Sequence, residues 1–105
     1  MKITIEVPDE VIERAIREAR IAYWGTITRY VGAWIVTEHE PTAADRSENP
    51  DGYRVSSASL VAGLVLMASG AKTARHFADL MAGTGDSVTG DVLIQCAAFG
   101  ELRYG

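Results

Sequence analysis

With 105 residues, 48% of them apolar and 23% charged, the chain has the size and make-up of one globular domain, which excludes a disordered or fibrous protein. Its formal net charge of −4 excludes general affinity for nucleic acid, which rests on cations that neutralise phosphate, and is far too mild for an acidic DNA mimic. Cys96 is the one cysteine, so an intramolecular disulfide and a four-cysteine zinc site are excluded.

Residues 2–7 alternate, with Ile3, Ile5 and Val7 on one side, and read as a strand. The same alternation, with Glu6 in it, does not make a signal peptide, so the expected location is the cytoplasm. Pro8 and Asp9 open a helix, since proline presets φ and acidic residues suit the positive helix end. From Val11 to Ala22 the apolar residues Val11, Ile12, Ala15, Ile16, Ala19 and Ala22 form one helical stripe. Glu10–Arg14 and Glu13–Arg17 have the favourable i, i+4 order on the other face.

Residues 23–40 are rich in aromatic and β-branched types and predict one long strand, or two broken near Gly32-Ala33. The polar segment Glu40 to Asp51 predicts a loop, ending in the turn Pro50-Asp51-Gly52. Tyr53 to Val55 predicts a short strand paired with the one before the loop. Ser56, Ser57 or Ser59 then caps a helix through Ser69 that is apolar over most of its circumference. Such a helix belongs inside the domain or inside an oligomer. The uncharged run from Val55 to Ala71 is too short to span a bilayer comfortably, and its serines and glycines favour a core helix, so no membrane partner is expected.

Residues 71–82 predict a further helix with Ala74, Phe77, Leu80 and Met81 facing inward. Gly83-Thr84-Gly85 breaks it, Asp86 or Ser87 caps a last helix to about Phe99, and Gly100 ends that one. Cys96 in this helix reads as a buried small hydrophobe. Leu102-Arg103-Tyr104 predicts an edge segment. The expected fold is therefore α+β: an antiparallel sheet of three to four strands, an N-terminal helix and three C-terminal helices, in one domain over 1–105.

Chemistry-bearing residues fall into four groups. His39 stands between Glu38 and Glu40, with Asp45, Glu48 and Asp51 nearby. Carboxylates and imidazole can ligate a metal, but adjacent strand residues alternate in direction, so the segment reads as an acidic solvated loop. Lys72, Arg75, His76 and Asp79 cluster outward on one helix, with Arg75–Asp79 and Lys72–His76 at i, i+4, and could take an anion. The run Gly83 to Asp91 lacks the Gly-Lys-Ser/Thr ending of a phosphate loop and reads as a helix–helix connection. Tyr23, Trp24, Tyr30 and Trp34 form the densest aromatic group. On a strand, Tyr23 and Trp24 point oppositely, so one of them faces away from the core and could stack a ligand or anchor a partner. No nucleophile elbow, zinc signature or dinucleotide fingerprint is present.

Tyr23-Trp24-Gly25, Phe77-Ala78-Asp79-Leu80, and the ending Gly85-Asp86 … Thr89-Gly90-Asp91-Val92-Leu93-Ile94-Gln95 … Phe99-Gly100-Glu101 … Tyr104-Gly105 resemble small accessory proteins of bacteriophages and prophages. Arg20-Ile21-Ala22 stands where a doubled glycine precedes Tyr-Trp in that pattern. The resemblance carries no catalytic role to any residue. It implies a non-enzymatic protein that binds and inhibits or modulates a host protein, such as a defence component, in the host cytoplasm. Such proteins also act by sequestering a signalling nucleotide.

Three functions follow as expectations. The first is a phage-type binding protein, a homo-oligomer acting on a host protein, with no cofactor and no catalytic residue. The second is a binder of an anionic small molecule such as a nucleotide. Tyr23, Trp24, Trp34, Arg54, Lys72, Arg75 and His76 are the residues expected to hold ligand or partner. The third is a small metal-dependent hydrolase built on His39 and the acidic segment 38–51.

Overall fold

The computed structural model describes residues 6–105, and the strand read over 2–7 lies outside the described residues except for Glu6 and Val7, which are not in a strand. The elements run α1 (Asp9–Glu18), β1 (Gly25–Tyr30), β2 (Ala33–Glu38), α2 (Ala43–Glu48), β3 (Tyr53–Val55), α3 (Ser57–Ser69), α4 (Ala74–Ala82) and α5 (Ser87–Phe99). The fold is α+β, with one three-stranded antiparallel sheet in the order β1-β2-β3.

β1 and β2 form a hairpin whose register pairs Gly25 with Glu38 and Tyr30 with Ala33. Its turn is Val31-Gly32, where Gly32 takes φ 73°, a left-handed value that favours glycine. β3 pairs with β2 through Trp34–Val55 and Val36–Tyr53, as its position after the Pro-Asp-Gly turn predicts.

Two expected segments differ. The polar stretch 40–51 is not all loop. Thr42 accepts from the Asp45 amide and nucleates α2, whose six residues bury none of their side chains. The polar composition hid a helix held by its cap and by contacts of Asp45. Leu102-Arg103-Tyr104 is not an edge strand either, but irregular chain laid over the end of α5.

The helix ends follow the sequence closely. Ser56 and Ser59 make a capping box on α3, and Asp86 with Thr89 makes another on α5. Gly83 and Gly100 close α4 and α5 in the left-handed conformation. α4 starts at Ala74 rather than 71, because Thr73 turns back to donate to the Met67 carbonyl. Of its expected inner face, Leu80 is buried and Phe77 half-buried, while Ala74 and Met81 are exposed. On α1 the pairing differs from expectation. Arg14 pairs with Glu18 at 3.1 Å, and Glu13 reaches across to Arg29 at 3.0 Å.

α5 is the centre of the molecule, with every residue from Thr89 to Cys96 buried. The core around it includes Ile12, Ile16, Trp24, Val36, Met67, Leu80, Leu93 and Ile94. Glycines let its neighbours approach closely. A Cβ on Gly63 of α3 would lie 2.8 Å from the Ala97 amide, and one on Gly90 of α5 would lie 2.1 Å from the Ala15 carbonyl of α1. Cys96 is buried among these contacts, and burial pushes its thiol pKa up.

α3 buries only Leu60, Gly63 and Met67. Val61 and Val65 are each 62% exposed, and Leu66 is exposed as well. The uniformly apolar helix is thus core on one side and bare on the other within this chain. Among the described residues no single helix is long and apolar enough to cross a membrane. α3 and α4 pass such a test only as a pair, and they are bent 114° to each other.

Candidate functional site

Between α1 and β1 the chain turns a corner at Ala22-Tyr23-Trp24, and the two aromatic residues part company there. Trp24 is 2% exposed and Tyr23 is 60% exposed. One of the adjacent pair does face away from the core, though it does so on a turn rather than on a strand.

Both side chains nevertheless reach one carboxylate. The Tyr23 hydroxyl donates to Asp91 Oδ2 at 2.6 Å, and Trp24 Nε1–H donates to Asp91 Oδ1 at 2.9 Å. Gln95 Nε2 adds a third donation, to Oδ1, at 2.9 Å. Asp91 is buried in the middle of α5, and these three donors stand in for the water it has lost. Partial burial of its hydroxyl, then the bond to Asp91, pushes the Tyr23 phenol up to about 12 though its ring is exposed.

Gln95 passes the network on to the C-terminal tail. Its Nε2 also donates to the Tyr104 carbonyl, while its Oε1 accepts from the amides of Arg103 and Tyr104, each at 2.8 Å. The primary amide thus uses both donors and both lone pairs. The tail lies so that the Tyr104 ring stacks on Trp24, with Phe99 tilted against both.

A second polar centre joins the tail to the sheet. Glu38, the last residue of β2, is buried and accepts from the Tyr104 hydroxyl and from Arg103 Nη1 at 3.1 Å. Arg103 Nη1 also reaches Asp45 at 3.2 Å, and its guanidinium lies 4.3 Å from the Phe99 ring centroid. Tyr53 donates to Asp45 and packs edge-on against Phe99. That hydrogen bond is the main cause of the lowered pKa of Asp45.

The residues expected to hold ligand or partner do not all meet in one place. Tyr23 and His76 line one cleft, with Arg20, Asp91, Gln95 and Tyr104. Trp24 is buried behind it. Trp34 sits on β2 beneath the Arg29 guanidinium, 5.1 Å from ring centroid to cation, and Arg54 is exposed on β3. Lys72 precedes α4 and Arg75 lies on its exposed side. The expected Arg75–Asp79 pair is not formed, and Asp79 instead accepts from Thr84. The seven residues thus lie on several elements, the corner before β1, the sheet, and α4 with the turn before it.

His39 and its flanking acids also separate. His39 Nε2 lies 2.8 Å from the Ala22 carbonyl, whereas Glu38 turns inward to Arg103 and Tyr104. Among the described residues no group of three His, Cys, Asp or Glu side chains could hold a metal ion.

Sequence reasoning missed Asp91, Gln95, Arg103 and Tyr104 as site residues and set Glu38 only beside His39. A signal was present: Asp91 and Gln95 stand at i, i+4 in an otherwise apolar helix, so two polar side chains share a face that must be buried. The residues quoted for the phage-protein resemblance include Tyr23, Trp24, Asp91, Gln95, Phe99 and Tyr104 of this network, but not Glu38 or Arg103. No family model, curated protein or solved structure matches the chain.

Proposed function

We propose that the chain is a binding protein of the phage accessory type, which pairs with a second copy of itself through α3 and acts on a host protein by contact. The observation that carries this reading is the outward face of α3. Val61 and Val65 are exposed there and line an apolar groove of about 540 Å³ together with Leu64, Ala68 and Phe77. Isolated exposed apolar residues need no explanation, but a continuous apolar face with its own groove marks an interaction surface.

A second copy is the occupant best matched to it. The run 55–71 carries no charge, so a two-fold contact brings no like charges together in a chain whose net charge is −4. Binding rather than turnover is supported by the state of the acids: Glu38, Asp45 and Asp91 are held by donors from the fold itself.

Sedimentation velocity of the wild type and of Val65→Glu tests the pairing. A dimer that the substitution converts to a folded monomer supports it, and a wild type that stays monomeric at high concentration contradicts it. The host target is tested by purifying the chain from host cells. A host protein that co-purifies stoichiometrically and rebinds the isolated chain supports that part, and its absence contradicts it.

A further inference from the structure

The cleft in front of Asp91 holds about 470 Å³, within the range of roughly 300–1,000 Å³ usual for small-molecule sites. Its chemistry is divided between floor and rim. On the floor is Asp91, whose Oδ1 accepts two hydrogen bonds and whose Oδ2 accepts one, from Tyr23. A carboxylate oxygen has two lone pairs, so Oδ2 keeps an acceptor site. Tyr23 and Tyr104 supply aromatic surface, and Leu102 supplies apolar surface.

On the rim are Arg20 and His76. Arg20 is exposed and forms no ion pair among the described residues. His76 Nδ1 lies 3.4 Å from Thr89 Oγ1, and its Nε2 has no partner among the described residues. The neighbouring Asp86 is committed to the Val88 and Thr89 amides as the cap of α5. The Val88 and Thr89 amides are therefore used, and Arg20 and His76 are the basic side chains that line the cleft.

We infer that this cleft binds a nucleoside monophosphate, with the base against Tyr23 and the tail and the phosphate at Arg20 and His76. The divided chemistry sets the orientation. A base presents N–H donors, which suit the open acceptor on Asp91, and a flat face, which suits the tyrosines. A phosphate at the floor would meet the charge of Asp91, whereas at the rim it meets a guanidinium whose N–H fork fits phosphate oxygens. This inference does not depend on pairing through α3, which lies on other residues.

Isothermal titration calorimetry with AMP, GMP, CMP and UMP, the matching nucleosides, and inorganic phosphate tests it. At least one monophosphate is expected to bind saturably with a Kd below about 1 mM. Its nucleoside, inorganic phosphate, and the monophosphate on Arg20→Ala are each expected to bind about tenfold more weakly or worse. Arg20 is on the surface, so its removal leaves the fold intact, which circular dichroism checks. No saturable binding by any of the four monophosphates overturns the inference, as does a monophosphate whose affinity is the same on Arg20→Ala.

Discussion

The Trp24 indole and the Tyr104 ring lie parallel, 5° apart in plane and 4.9 Å between centroids. One belongs to the corner before β1 and the other to the C-terminal tail. The stack closes the molecule over the end of α5 and hides the indole from water. Removing residues 102–105 is therefore expected to bare Trp24 and to leave Gln95 without its three tail partners. In a Trp34→Phe background the emission of Trp24 should shift to longer wavelength on truncation. An unshifted spectrum would mean that the tail does not cover the indole.

Asp91→Asn tests the buried carboxylate. Asparagine keeps the shape but turns one acceptor into a donor facing Trp24 or Tyr23 or Gln95, all of which donate. Leaving buried donors unmatched costs about 1–3 kcal/mol each, and bonds to a charged group sit at the upper end. The variant should unfold at clearly lower urea concentration, whereas Tyr23→Phe, at an exposed position, should cost less. Equal losses for the two would contradict the central place given to Asp91.

Gly63→Ala and Gly90→Ala test the close helix crossings. The added methyl meets backbone at 2.8 Å and 2.1 Å respectively, and backbone cannot step aside as a flexible side chain can. Overpacking of this kind costs about 1–3 kcal/mol. Thermal unfolding should rank Gly90→Ala as the more damaging, because its contact is the shorter. Gly105→Ala, where the added methyl meets nothing, is the control.

The pH dependence has two arms. Tyr23 and Tyr104 have phenol pKa values raised from 10.0 to about 12, by burial and then by their bonds to Asp91 and Glu38. A raised folded-state pKa contributes stability that is full below pH 10 and is lost as pH rises towards 12. Asp45 and Asp86 have lowered values, Asp45 mainly through Tyr53 and Asp86 mainly through the Thr89 amide. Their contribution is full above the ordinary value of 3.8 and is lost as pH falls through the lower folded value. The Tyr53 phenol is raised as well, by burial and then by its bond to Asp45, so melting temperature should fall at both ends and absorbance of the phenolate should show three tyrosines titrating late. A single titration of all four at the ordinary value would contradict the network.

Much of the fold was legible because local chemistry marks it. Pro8-Asp9, Ser56, Asp86, Gly83 and Gly100 each carry a mechanism for starting or stopping a helix, and the structure uses all five. α2 was not legible, since a six-residue polar helix has no apolar stripe to display. The site was harder still. Tyr23 and His76 were visible as chemistry-bearing residues, but their meeting with Arg20 and Asp91 depends on where the tail and α4 pack against α5. The tail gave no periodic signal at all, because Arg103 and Tyr104 act through single long-range bonds to Glu38 and Gln95.

Pairing through α3 is tested most directly by placing a cysteine on its outward face. Cys96 is buried, so Val65→Cys presents the one accessible thiol, and at a two-fold contact the residues near the axis approach their own copies. Under mild oxidation Val65→Cys is expected to give a disulfide-linked dimer much faster than Thr28→Cys on the exposed part of β1. Equal rates for the two positions would contradict the α3 interface.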